Sequence, residues 1–402
     1  MKKLMILGAG IYQVPLIKKA KEMGLETLVV SIPGEYPGFA YADQVIELDT
    51  RDKKEILLAA RKEKIDGICT SGTDVAVATI GYVCENMGLA GIPYQAAQIV
   101  TDKAKMKDAF QKNHVSASRY EKVLTIQEAA AAAQKIGYPV VVKRVDSSGS
   151  RGITLVSKED KLEAAFYDAL AGSKLPYVLV EEVLTGKEIG VDGFVKDGKL
   201  VFLAPHEKFV YHGAKITVPM GHGFPLCEEE TVVEEIARQM QLAVDAAGLD
   251  QCPVNADVFI RDGKAWIIEI GGRTGATCIP ELIGIHYGFD FYETMIRNAL
   301  GERIIFEGMG KTPCMAKLLV SPVSGWITGI NWEGLEAIRR ENIVIQIDYP
   351  AGHMVSAMEN GTDRIGHVIA RTKTEAELDG IVGRVQRCIE IDHRTLEELW
   401  ER

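Results

Sequence analysis

The sequence predicts an α/β chain that passes into an α+β pattern, and three observations carry that reading. Strand and helix alternate over residues 1–100, the arrangement that gives a parallel sheet with helices on both faces. A hairpin with the turn Asp262-Gly263 joins two β-rich runs, and Asp257 and Glu269 flank it. From about Phe306 the pattern is short strands closed by one helix. A chain of 402 residues is too long for one core, and the reading divides it into residues 1–100, 101–305 and 306–402.

Each element has its own signal. Leu4 to Leu7 is a continuous apolar run, as a buried parallel strand requires. The lysines before it imitate a signal peptide, but the apolar run ends at Gly8, too soon for one. The remaining elements of the first region are a helix from Val14 to Met23, strands from Glu26 to Val30 and Gln44 to Leu48, a helix from Lys53 to Glu63, a strand from Gly67 to Cys69, and a helix from Val75 to Met87 before the turn Gly88 to Pro93.

Two of its loops invite a ligand. Gly8-Ala9-Gly10 follows the first strand, but Gln13 and Val14 stand where a dinucleotide-binding pattern needs its third glycine. A tight turn explains the two glycines equally well. Thr70-Ser71-Gly72-Thr73-Asp74 also follows a strand and opens a helix. It is either a ligand contact or a helix cap made by Thr73 or Asp74.

Thr101-Asp102 opens the second region with a helix from Lys103 to Asn113, and another runs from Thr125 to Ile136. A strand ending in Lys143 leads through the small-residue loop around Ser147 to a strand from Ile153 to Val156. Then come a helix from Lys158 to Ala171, strands from Tyr177 to Val180, Glu188 to Val195 and Leu200 to Phe209, and a helix from Glu228 to Ala247. The third region gives strands from Met315 to Val320, Trp326 to Ile330, Ile343 to Ile347 and His367 to Ala370, and a helix from Thr374 to Ile389.

Composition narrows the function. The chain is 47% hydrophobic and 25% charged, with net charge −10 and no lysine or arginine stripe. Nucleic acid and anionic membranes are therefore disfavoured as partners. No apolar stretch approaches the ~20 residues that span a bilayer. Seven cysteines without a Cys-x-x-Cys pair suggest reduced thiols in a cytoplasmic protein.

The chemistry concentrates in the second region. Asp257 and Glu269 become neighbours when the hairpin pairs, and two adjacent acids call for a cation such as Mg²⁺, which takes carboxylate oxygens and substrate phosphates. Taken alone, two solvated surface acids fit better. Lys143 and the loop that follows offer a point charge and close backbone N–H groups to phosphate oxygens, although by themselves a flexible hairpin loop with an incidental lysine fits better. Glu181, Glu182 and Glu188 surround a strand end whose backbone can read a base and whose acids can take ribose hydroxyls. The stretch Pro205 to Pro225, with His206, His212 and His222, reads as an acceptor-binding loop; the histidine spacings fit no standard zinc pattern. Arg273-Thr274-Gly275-Ala276-Thr277 is a polar, glycine-rich segment after the second acid.

In order and spacing, the segments TDKAKMKDAF, GYPVVVKRVDSSGSRGITLV, VLVEEVLTGKEIGVDGFV and NADVFIRDGKAWIIEIGGR resemble the ATP-grasp superfamily. The resemblance covers roughly Thr101 to Leu300, with a domain on either side in the expected places. It implies a Rossmann-like N-terminal domain, a two-lobed ATP-grasp domain and a small C-terminal α+β domain. By position it also implies that Lys103 and Lys143 bind ATP phosphates under a lid of Ser147, Ser148, Gly149, Ser150 and Gly152. Glu181 would meet the adenine amino group, Glu182 and Leu184 the adenine through backbone, and Glu188 the ribose. Asp257 and Glu269 would hold Mg²⁺, and Arg273 would steady the acceptor carboxylate and the acyl-phosphate charge. One position departs: members often carry asparagine two residues after the second metal carboxylate, and here it is Gly271. Water or Asn255 would then complete a second metal site.

The resemblance points to a ligase that converts a small carboxylate into an acyl phosphate, releases ADP, and joins the acid to an amine. It is similar to the L-amino acid ligases and to the ATP-grasp purine-biosynthesis enzymes that use formate or bicarbonate. The latter are the second reading, because the first turn, GAGIYQVP, departs from their usual pattern. A non-catalytic ATP-binding module and a nicotinamide-dependent oxidoreductase are readings from other classes. A homodimer follows by analogy alone.

Overall fold

The computed structural model describes residues 1–145, 152–212, 217–306 and 310–400. The chain forms two compact units: Met1–Pro205 with Glu228–Ala276 and Tyr292–Glu307, and His206–Cys227 with Thr277–Phe291 and Gly308–Arg402.

In the first unit the N-terminal strands make a four-stranded parallel sheet. Its order is Gln44–Glu47, Glu26–Ser31, Lys3–Leu7, Gly67–Cys69. Leu4, Met5, Ile6 and Leu7 are fully buried, as a central strand covered on both faces demands. The helix Lys53–Glu63 starts where Asp52 accepts from the Lys54 and Glu55 N–H groups, and it stops at Lys64 in the left-handed region. Within residues 1–100 the sequence reading omitted the α-helix Tyr94–Val100, and further along it omitted Ile279–Tyr287, Phe291–Ala299, Trp332–Arg339 and Leu396–Trp400. Tyr94–Val100 has no side-chain cap, so nothing local announces it.

A second, antiparallel sheet has the order Tyr120–Val123, Val178–Glu182, Val140–Lys143, Ile153–Val156. Helices Ile126–Ile136 and Leu162–Ala171 supply Ala129, Ala133, Leu162 and Phe166 to a core shared with Val140, Val142, Val178 and Val180. The alanine run suits this place because small side chains let the helix approach the sheet.

The third sheet of this unit begins with the acid-bearing hairpin, Cys252–Arg261 and Lys264–Gly271, and continues through Lys187–Lys196. The helix Glu230–Ala247 packs on the hairpin. Buried Gln239 on that helix accepts from the Ser116 N–H and donates to its hydroxyl, at 2.9 and 2.8 Å. The Ile267 N–H of the hairpin donates to the Ser116 carbonyl at 2.7 Å. Helix, hairpin and the entry to the second sheet are thus tied at one residue.

The second unit contains the end of Lys199–His212, then Thr217–Phe224, Cys314–Val320, Arg364–Ala370 and Val344–Ile347 in that sheet order. A smaller sheet carries Gly325–Ile330 and Ile389–Ile391, and both close over one core with helices Trp332–Arg339 and Glu375–Gln386. Here one expectation is corrected. The histidine- and glycine-rich stretch read as a loop is largely two paired strands, Glu207 facing Gly223 and Lys208 facing His222. Gly221 is the physical reason: a Cβ there would stand 2.0 Å from the Ala316 carbonyl oxygen, so the neighbouring strand comes too close for any other residue. His206 and His222 are buried and packed edge to face, with ring centroids 4.7 Å apart.

Among the described residues no helix is long and apolar enough to cross a membrane.

Candidate active site

The hairpin places its two acids opposite each other by means of a bulge. Asp262 and Gly263 both have positive φ, 53° and 70°, as a two-residue type I′ turn requires. From that turn a regular ladder would set Asp257 against Ile268. The register instead shifts between Asp257 and Val258, so that Asp257 faces Glu269 and Asn255 faces Gly271. One extra residue in the second strand brings the carboxylates together. Both are half-buried.

Lys103 reaches this pair from the start of its helix. Asp102 caps the helix through the Ala104 and Lys105 N–H groups, and Lys103 Nζ lies 3.4 Å from Glu269 Oε2. Burial works against the Lys103 ammonium, but Glu269 and Asp74 together raise its pKa above the ordinary lysine value.

One turn along the same helix face, Lys107 enters a second cluster that the sequence reading did not include. Lys107 Nζ donates to Ser118 Oγ at 2.7 Å and lies 3.4 Å from Glu181 Oε2. Ser118 Oγ donates to that oxygen at 2.9 Å, and Lys143 Nζ does so at 3.1 Å. Lys143 faces Leu179 and Glu181 faces Val141, so lysine and glutamate are diagonal neighbours across the strands. Burial alone would push the Glu181 carboxyl up, but Lys143 and Lys107 overcome it and hold it at about 2. Oε2 therefore accepts from Ser118 and Lys143 with the Lys107 ammonium beside it, while among the described residues buried Oε1 has no donor. A buried carboxylate oxygen without a donor is costly, and it marks a place where a ligand N–H would be welcome.

Arg273 is the centre of a third cluster. Its Nε and Nη2 donate to the two oxygens of Asp74, each at 2.8 Å. Nη1 donates to Asn255 Oδ1 at 2.8 Å and to the Thr274 carbonyl at 3.2 Å. Asn255 in turn donates to fully buried Asp192 at 2.7 Å, and Asp192 also accepts from the Gly275 N–H at 2.8 Å. Asp74 does not cap the following helix, which starts at Val77 with Ala76 in the cap position. Its carboxylate is committed to Arg273 instead. Asn255 is likewise committed, orienting Arg273 rather than standing free beside Gly271.

Lys103, Glu269, Gly271, Asn255, Arg273 and Asp74 line one cavity of about 390 Å³. The remaining expected residues lie around it in sequence rather than in its wall. Glu182 pairs with Arg119 Nε at 3.0 Å. Leu184 is half-buried just past the strand end, and Glu188 lies on the next strand, opposite Phe259. Gly152, with φ +68°, accepts the Arg144 N–H at 2.9 Å. Ser147, Ser148, Gly149 and Ser150 lie outside the described residues.

In the first turn the Gly10 N–H donates to Gln13 Oε1 at 2.9 Å, and Gln13 Nε2 donates to the Ser71 carbonyl. The residue that replaces the third glycine fills the turn with its own side chain, which leaves no room for a pyrophosphate there.

Lys107 was legible only as a residue four positions after Lys103 on a capped helix. Ser118 and Asp192 had no local signal, since their roles depend on pairing across strands.

With this geometry in place, comparison with known proteins is decisive. Residues 136–281 match the ATP-grasp domain family. The chain carries an ATP-grasp domain. Over the whole chain, the fold is similar to that of phosphoribosylglycinamide synthetase from Anaerococcus prevotii, with a TM-score of 0.81 and 29% identity over 97% of this chain and 99% of that one. It is similar to L-amino acid ligase from Bacillus licheniformis at the same TM-score, with 18% identity over 98% of this chain and 99% of that one. In sequence it is 26% identical over 267 residues to alanine–anticapsin ligase of Bacillus subtilis. That match covers 60% of this chain and 56% of the relative's length. The ATP-grasp fold expected from the motifs, with a parallel N-terminal sheet before it, is the fold observed.

Proposed function

We propose that this chain is an ATP-dependent carboxylate–amine ligase: it activates a small carboxylate as an acyl phosphate, releases ADP, and joins the acid to an amine. The observation that carries the proposal is the direct opposition of Asp257 and Glu269, with Lys103, Arg273 and Asp74 around the adjoining cavity.

The donor set suits Mg²⁺, a hard cation that binds one or two carboxylates and completes its shell with phosphate oxygens and water. Among the described residues no larger His, Cys, Asp or Glu group capable of holding a metal gathers, so the pair leaves those positions to the substrate. Asp257 and Glu269 would hold Mg²⁺, whose charge would offset that of the phosphates. Lys103 and Lys143 would supply further positive charge to the phosphates. Glu181 Oε1 is the acceptor for an adenine amino group, with the Glu182 and Leu184 backbone beside it and Glu188 at the ribose.

Arg273, held rigid by Asp74 and Asn255, presents a fixed charge where the carboxylate and its acyl phosphate carry negative oxygens. Because that charge is already oriented, no reorganisation is needed as the reaction proceeds. The protein's further task is to position the amine and exclude water from the activated acid. We place the enzyme in the cytoplasm as a homodimer, with the three-part division at residues 100 and 305.

A purine-type reaction with formate or bicarbonate is the second reading, favoured by 25% identity over 312 residues to formate-dependent phosphoribosylglycinamide formyltransferase of Wolinella succinogenes. Incubation with Mg·ATP and pooled carboxylic acids and amines, followed by ADP assay and mass spectrometry, separates the two. ADP release that requires a particular acid–amine pair supports the ligase. Release that requires formate or bicarbonate with a phosphoribosyl amine favours the alternative.

A further inference from the structure

The space that a side chain at Gly271 would enter is not empty. A Cβ at Gly271 would lie 2.9 Å from Asp74 Oδ1, closer than real contacts allow. The glycine thus makes room for a carboxylate that arrives from the N-terminal sheet, after the strand Gly67–Cys69. There Asp74 joins Arg273 bidentately, and both line the cavity with Glu269 and Lys103.

Fixed opposite charges at one wall select their ligand. Arg273 has five N–H donors, and four of its hydrogen bonds are accounted for by Asp74, Asn255 and Thr274. One Nη2 N–H remains for a ligand oxygen. Each Asp74 oxygen accepts one bond from Arg273 and retains lone-pair capacity for another donor. A lone anion such as formate, bicarbonate or a phosphate ester gains from Arg273 but meets the Asp74 charge beside it. A zwitterion gains from both, with its carboxylate on Arg273 and its ammonium on Asp74. The backbone reinforces the wall: the Gly72 N–H donates to the Thr274 carbonyl at 3.3 Å, linking the two loops that carry the pair.

We infer that Asp74 is a specificity-determining residue whose carboxylate, seated in the space left by Gly271 and fastened to Arg273, receives the ammonium group of an amino-acid substrate. This rests on the ligase reading for the identity of the cavity. It adds that the activated acid bears an amine next to its carboxylate.

The test is calorimetric titration of the full chain, in Mg·ADP, with each standard amino acid and its des-amino counterpart. At least one amino acid should bind about tenfold or more tightly than its des-amino partner, as a lost charge-assisted contact implies. Asp74→Asn should reduce that preference to within a few-fold, and Asp74→Glu should restore part of it, which a purely structural role would not do. Equal binding of the des-amino acids overturns the inference, as does failure of every amino acid to bind or an Asp74→Asn protein that keeps the preference. ADP release measured on the same panel separates this from the ligase reading. Release without ammonium dependence sinks only the role of Asp74. Ammonium-dependent binding without any ADP or amide sinks only the ligase.

Discussion

Asp257 and Glu269 face each other across the hairpin because one residue of the second strand is extruded as a bulge. Without that bulge the second acid would lie on the opposite face of its strand. The pair is brought together by strand register, and Lys103 Nζ lies 3.4 Å from Glu269.

Glu269→Ala should abolish Mg·ATP turnover, lowering ADP release by about 10²–10³-fold or more, while circular dichroism and the thermal midpoint stay near those of the parent. Glu269 is partly exposed, so its removal leaves no buried void. A variant that turns over ATP normally would overturn its place at the metal.

Lys107→Met should destabilise the chain and weaken ATP binding. Lys107 and Glu181 are each 2% exposed, and breaking one side of a buried pair costs about 3–5 kcal/mol. Chemical denaturation measures the loss, and nucleotide titration should show weaker ATP binding, because Glu181 loses one of its two lysine partners. Unchanged stability would show that Lys143 alone suffices.

The same cluster predicts an acid limb of stability. The Glu181 carboxyl is lowered from 4.5 to about 2 when folded. Its contribution is therefore fully present above the unfolded value and is lost as pH falls from there through about 2. The size is of order 3 kcal/mol by linkage. Denaturant midpoints between pH 5 and pH 2 should fall more steeply for the parent than for Glu181→Gln. Equal slopes would place the acid-sensitive group elsewhere.

Gly271→Asn should displace Asp74, given the 2.9 Å approach at Cβ alone. The expected outcome is a folded protein with turnover reduced by about tenfold or more, since a small displacement of an oriented group is costly. Adding Asp74→Ala to Gly271→Asn should not recover turnover, because Arg273 then loses its bidentate partner. A single variant with parent-like turnover would mean that the carboxylate can move aside freely.

What the sequence made legible was whatever local chemistry specifies. Apolar runs marked the parallel strands, Thr101-Asp102 marked a helix start, and Asp262-Gly263 marked the hairpin. What it hid depends on pairing between distant segments. The bulge beside Asp257, the Ser118 and Lys107 partners of Glu181, and the attachment of Asp74 to Arg273, 199 residues away, are all of this kind. The strand Thr217–Phe224 was hidden for another reason. Its glycines and proline read as breakers, but Gly221 is there because a neighbouring strand passes too close for a side chain.

The most direct test of the account follows the oxygen atoms of the carboxylate substrate. With an acid labelled with ¹⁸O in its carboxyl group, an acyl-phosphate ligase transfers one labelled oxygen to the phosphate released in each turnover. Mass spectrometry of that phosphate should find the label whenever amide is formed. Amide formed with unlabelled phosphate would contradict activation through an acyl phosphate, and with it the central role assigned to the Asp257–Glu269 site.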